Sequence, residues 1–142
     1  MNNPVEYPTL EDIREWYVAL NNRTLFEQAF FLPPLDEGWC EEMCSAFETT
    51  ALLPECRHDA CRAAAVIFYK INKNHYRVDG NKRSAVICTI FFFMINNLWP
   101  DITQKKFYAL AKKIAKSDGG KGDAVIAMIE RRFRAVLTQL EL

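Results

Sequence analysis

Apolar residues recur along most of the chain at helical spacing, and polar clusters break the pattern into segments. Leu10, Ile13, Trp16, Tyr17 and Leu20 fall on one stripe, and Thr9 followed by Asp12 supplies a start signal. Asn21 and Asn22 end that helix, and Pro33–Pro34 makes the next boundary. A second helix is expected over about 36–51, burying Trp39, Met43, Ala46 and Phe47, with Pro54 stopping the pattern because proline cannot join an interior helical ladder. The third, about 59–72, is apolar on every side at its centre, 63–69, which requires neighbours all round it.

A polar interval, 73–80, precedes a fourth helix over 81–97, whose apolar run is closed by Asn96 and Asn97. The stretch Ile90, Phe91, Phe92, Phe93 would also suit a strand, but the run is too long for one and has no partner segment, so helix is preferred. Thr103 caps a fifth helix with Phe107, Leu110, Ala111 and Ile114 inward, ended by Ser117, Asp118, Gly119 and Gly120. The last spans about 123–140, with Val125, Ile126, Ile129, Phe133 and Val136 inward and a frayed end at Glu141 and Leu142. The expectation is an all-α, compact bundle of six to seven helices around the pair 59–72 and 81–97, in one domain over 1–142.

Size and composition agree with this. The chain has 142 residues, 50% of them hydrophobic, which is globular composition rather than that of a disordered segment. The apolar run 85–95 is too short to cross a bilayer, which takes about 20 residues, so no membrane association is expected. The first residues carry Glu6, Glu11 and Asp12 instead of a basic leader, and the five Cys (40, 44, 56, 61 and 88) are an odd number without zinc-site spacing. A cytoplasmic protein with reduced, mostly buried thiols and no structural metal is expected.

The formal net charge of zero hides a division. Residues 1–59 hold twelve acids and three bases, and residues 60–142 hold six acids and fifteen bases. Two solvated faces of one domain would account for this, and so would an anion site in the second half.

The interval before the fourth helix carries the densest chemistry: His75, Tyr76, Arg77, Val78, Asp79, Gly80, Asn81, Lys82, Arg83, Ser84. A helix start with free amides and two cations suits a phosphate. His75 can take a proton from a hydroxyl near neutral pH, and Asp79 can hold magnesium between phosphates. The plain alternatives are a surface histidine, a helix-capping turn at Asp79–Asn81 and solvated charges at Lys82 and Arg83, although cations there oppose the helix dipole. Chemistry alone does not choose between these readings.

The segment resembles the signature of the Fic/Doc superfamily, His–x–Phe–x–Asp/Glu–Gly–Asn–x–Arg, through His75, Asp79, Gly80, Asn81 and Arg83. Ser84–Ala85 with the apolar helix after them, and FYKINKNH at 68–75 before them, read like the Doc (death-on-curing) branch. The similarity covers a motif-bearing core of about 59–116, with divergent N-terminal helices and a possible substrate flap within 9–51. The resemblance implies a Fic/Doc-like fold with the active-site loop between the two central helices, and it implies ATP and magnesium as cofactors. In such a site His75, Asp79 and Arg83 are catalytic, Asp79 is the magnesium ligand, and Gly80, Asn81, Lys82 and Arg83 bind the nucleotide.

Lys82 stands where AMP-transferring Fic proteins have Gly, and Val86 where they have a second Arg. Both departures favour the Doc-like outcome: phosphoryl transfer from ATP to a Ser or Thr hydroxyl of a target protein, with elongation factor Tu as the target known for Doc. The alternatives are AMP transfer and a catalytically degenerate member that binds or regulates. Arg77 motivates the last, because it replaces the motif Phe. No inhibitory Ser/Thr–x3–Glu–Gly/Asn segment occurs, and the resemblance brings with it a separate small antitoxin as partner. No helix-turn-helix or zinc-finger signature supports direct nucleic-acid binding.

Overall fold

The computed structural model describes residues 3–20, 37–73 and 81–140. Six α-helices make up the described bundle: α1 (Leu10–Leu20), α2 (Glu37–Ala51), α3 (Ala60–Lys73), α4 (Asn81–Ile95), α5 (Gln104–Ala115) and α6 (Gly122–Val136). Short 3-10 turns occupy Pro54–Cys56 and Gly119–Lys121. The helical bundle expected from the sequence is therefore present, and the segment 90–93 is helical.

Local chemistry explains several boundaries. The Thr9 amide donates to Asp12 Oδ2 at 2.8 Å and the Asp12 amide donates back to Thr9 Oγ1 at 3.2 Å, a reciprocal cap that starts α1. Thr103 Oγ1 accepts from the Lys106 amide and starts α5 as expected. Asn97 ends α4 with φ of 60°, a left-handed conformation that asparagine tolerates better than most residues.

Beyond Asn97 the all-α bundle carries a short strand pair that the sequence did not announce. Strand β1 (Leu98–Pro100) pairs antiparallel with β2 (Leu137–Gln139), with Trp99 opposite Thr138. The last helix accordingly ends at Val136, short of the expected 140, because Leu137 turns to extended backbone and joins that ladder. The fourth helix ends at Ile95, and not at 97. The frayed end expected at Glu141 and Leu142 lies outside the described residues.

Helix α3 is the hub and touches α2, α4, α5 and α6. Its centre is enclosed as expected up to Phe68. Ala63–Phe68 are buried, but Arg62, Tyr69, Lys70 and Lys73 are half-buried and engaged at its outer side. Lys70 Nζ donates to the Thr49 and Thr50 hydroxyls at 3.0 and 3.3 Å. Helix α4 is buried without a break from Ser84 to Ile90. Phe68, Phe93, Phe107 and Phe133 form an aromatic knot between α3, α4, α5 and α6, with ring centroids 5.3–5.8 Å apart. Trp16, Phe47, Phe91 and Phe92 join α1, α2 and α4 on the other flank. Of the inward positions expected, Ala46, Val125, Ile126 and Val136 are only half-buried.

The start of α3 and the end of α4 lie together, since Ala60 and Cys61 line the same groove as Ile95, Asn96 and Leu98. The central pair therefore runs antiparallel, and the first turn of α4 lies at the opposite pole of the described bundle. Among the described residues, no helix is long and apolar enough to cross a membrane.

Candidate functional site

Within the described structure the motif is represented by the first turn of α4. Asn81 is its first residue, Lys82 is half-buried, and Arg83 is exposed. His75, Asp79 and Gly80, with Tyr76, Arg77 and Val78, lie outside the described residues. So does the segment 21–36, which contains the possible flap with Phe26, Phe30 and Phe31. The structure thus brings Asn81, Lys82 and Arg83 onto one turn, and the base and magnesium ligand read from the sequence belong to the segment that immediately precedes it.

That turn shares its charge pattern with the start of α5, which also lacks an acid and carries two lysines. It contains no acid, and it sets two cations where the helix dipole is already positive. No described carboxylate pairs with either cation. Free amides of a first turn together with an ammonium and a guanidinium form a donor set suited to phosphate oxygens. A nucleotide's phosphates fit these residues. Among the described residues no three His, Cys, Asp or Glu side chains come together, and Asp79 lies outside them.

One described cation near this pole is already engaged. Lys73, in the last turn of α3, donates to the carbonyls of Ala115 and Ser117 and caps the C-terminal end of α5. Val86, one turn beyond Lys82, is 1% exposed and packs in the core, so it adds no polar group to the turn.

The first turn of α4 is anchored from behind. Trp39 Nε1 donates to Ser84 Oγ at 2.8 Å, with both residues 1% exposed. Trp39 itself is held by the edge of Tyr17, ring centroids 5.1 Å apart. The start of α2 is fixed to α1 by a two-pronged pair, Arg14 Nε to Glu37 Oε1 at 2.8 Å and Arg14 Nη2 to Glu37 Oε2 at 2.9 Å. Sequence reading placed Trp39 in the core and missed this bond. A lone serine opening an otherwise apolar helix was the available signal.

The thiols offer no alternative nucleophile. All five cysteines are free and buried. Burial pushes Cys44 and Cys56 up to about 11 and Cys61 up to about 12, and it raises Cys40 and Cys88 as well. A groove of about 840 Å³, lined by His58, Asp59, Asn96 and Arg134 among others, opens at the far pole and is separate from the motif turn.

The described structure is a helical bundle with an acid-free, cationic helix start at one end of an antiparallel helix pair. Residues 7–93 match the sequence model of the Fic/DOC family, and the chain belongs to that family. The match takes in α1 and α2 as well as the two motif-bearing helices. No curated protein and no solved structure shows significant similarity to the chain.

Proposed function

We propose that this chain is a Fic/Doc-type transferase that moves a phosphate-linked group from ATP to a hydroxyl of a protein. The observation that carries the proposal is the first turn of α4, where Asn81, Lys82 and Arg83 share an acid-free helix start in a member of this family. On this reading His75 takes the proton of the incoming hydroxyl, and Lys82 and Arg83 hold phosphate oxygens. Asn81 positions the preceding segment, and Gly80 lets the backbone approach closely. Asp79 would hold a magnesium ion, which supplies charge neutralisation between phosphates.

Nucleotidyl transfer is the outcome that the family match supports better. The hydroxyl oxygen bonds to the α-phosphorus, the bond to the β-phosphate oxygen breaks, pyrophosphate leaves, and the hydroxyl proton passes to His75. Phosphoryl transfer of the Doc kind is a second reading, carried by Lys82 in place of the motif Gly and by Val86, which is buried where a second Arg would be needed. In that case the oxygen bonds to the γ-phosphorus and ADP leaves. Elongation factor Tu is a candidate acceptor, and a separate antitoxin is the proposed regulatory partner.

The test is label transfer in a cell lysate with magnesium, using α- or γ-labelled ATP and the His75→Ala variant in parallel. A protein band labelled from α-ATP only by the parent chain establishes AMP transfer. A band labelled only from γ-ATP establishes the kinase reading. Mass spectrometry of the band identifies the acceptor, and silence with both labels turns the assignment toward a binding or regulatory protein.

A further inference from the structure

We propose that Trp39 is a positioning residue for the nucleotide's phosphates, acting through Ser84 on the first turn of α4. This rests on the functional reading above and adds to it a part for α2, a helix that carries none of the motif.

What holds α4 in rotation decides where its first turn points. A helix buried along one stripe is oriented by its own hydrophobic pattern, because turning it would expose apolar groups. Helix α4 lacks that constraint near the motif, being buried at every position from Ser84 to Ile90. Turning it about its axis would exchange one apolar contact for another. A buried hydrogen bond does discriminate, since a rotated helix leaves a donor and an acceptor unpaired and shut off from water. Ser84 supplies that bond, whereas Thr89 in the same run has its buried hydroxyl without a partner and fixes nothing.

The geometry then transmits outward. Consecutive helical residues are about 100° apart, so fixing Ser84 toward the indole sets the bearings of Lys82 and Arg83. Indole Nε1 can only donate, which obliges Ser84 Oγ to accept and defines the bond's polarity. The Arg14–Glu37 pair and the Tyr17 ring hold the indole against α1. A rigid line therefore runs from α1 through Trp39 and Ser84 to the exposed guanidinium of Arg83.

The experiment measures binding of a fluorescent mant-ATP probe, thermal unfolding, and amide exchange over residues 81–84. The proteins are the full chain, Trp39→Phe, Ser84→Ala, Arg83→Ala and the Trp39→Phe/Arg83→Ala double variant. Loss of the bond should weaken mant-ATP binding about tenfold and speed exchange in the first turn of α4, with cooperative unfolding retained. In the Arg83→Ala background, Trp39→Phe should add little further loss, because its effect passes through that turn. A purely structural role predicts equal losses in both backgrounds. That result, or parent-like binding by Trp39→Phe, overturns the proposal. Should Trp39→Phe fail to fold, Ser84→Ala decides the matter alone, parent-like binding again being the overturning result. A parent chain that does not bind mant-ATP overturns the transferase reading itself, and the role of Trp39 with it.

Discussion

The two helices of the central pair begin in opposite ways. Helix α3 starts conventionally: Asp59 Oδ1 accepts from the Arg62 amide at 3.0 Å, and Asp59 Oδ2 is paired with Arg134 Nη2 at 2.6 Å. An acid faces the positive pole of the dipole, its charge is matched, and the turn is complete in itself. Helix α4 starts with Lys82 and Arg83 and no acid. Cations at a helix start are not sufficient for a site, since α5 also opens with Lys105 and Lys106, but there Thr103 closes the turn. The start of α4 is anchored from behind by Trp39 through the Ser84 hydroxyl, and no described carboxylate pairs with its two cations. One start stabilises the fold; the other, on the proposed function, receives the phosphates of the nucleotide.

This contrast sets the expected order of effects. Arg83→Ala should weaken nucleotide binding roughly 10- to 100-fold by removing charge-assisted hydrogen bonds. It should leave the melting temperature in place because the side chain is exposed, and titration with mant-ATP beside a thermal melt checks both halves. Asp59→Ala should do the reverse. Losing the cap and its ion pair should cost about 1 kcal/mol in denaturant unfolding, with transfer unaffected. A loss of transfer in Asp59→Ala would break the division between the two poles.

Alkali should act on the start of α3, where Cys61 is buried in the first turn. Its thiol is pushed from 9.0 to about 12 in the folded state. The unfolded chain gives up this proton near pH 9 while the folded chain keeps it, so the contribution to stability is full below pH 9 and is lost as pH rises toward 12. Melting curves across that window should fall less steeply for Cys61→Ala. The smallest effect is expected from Arg14→Gln. Arg14 holds the Glu37 carboxyl below its usual range, and that exposed pair contributes above the ordinary carboxylate pKa and fades in acid. Its replacement should change the melting temperature little near neutral pH and less still in acid.

Helix existence was readable because burial writes itself into spacing over three or more turns. Thr9 and Thr103 announced their helices through caps that are local in sequence. The β1–β2 pair was not readable. Three residues are too few to display a period of two, and Leu137 continues the apolar rhythm of α6 while its backbone leaves the helix. The bond from Trp39 to Ser84 spans 45 positions, and no local pattern encodes such a partner. The chemistry of the turn was legible in the types of Lys82 and Arg83. Its orientation was not, because an apolar helix such as α4 does not declare which way it faces.

The two asparagines after α4 gather both ends of the described chain. The Glu6 amide donates to Asn96 Oδ1 at 2.8 Å, Asn96 Nδ2 donates to the Glu6 carbonyl at 3.0 Å, and the Leu140 amide donates to the Asn97 carbonyl at 2.8 Å. Residues 6 and 140 are thus knotted to one corner, at the pole away from the motif turn. A label carried at residue 6 or 140 sits at that corner and leaves the opposite pole clear. A cross-link between residues 6 and 140 would span that one corner and leave the start of α4 untouched.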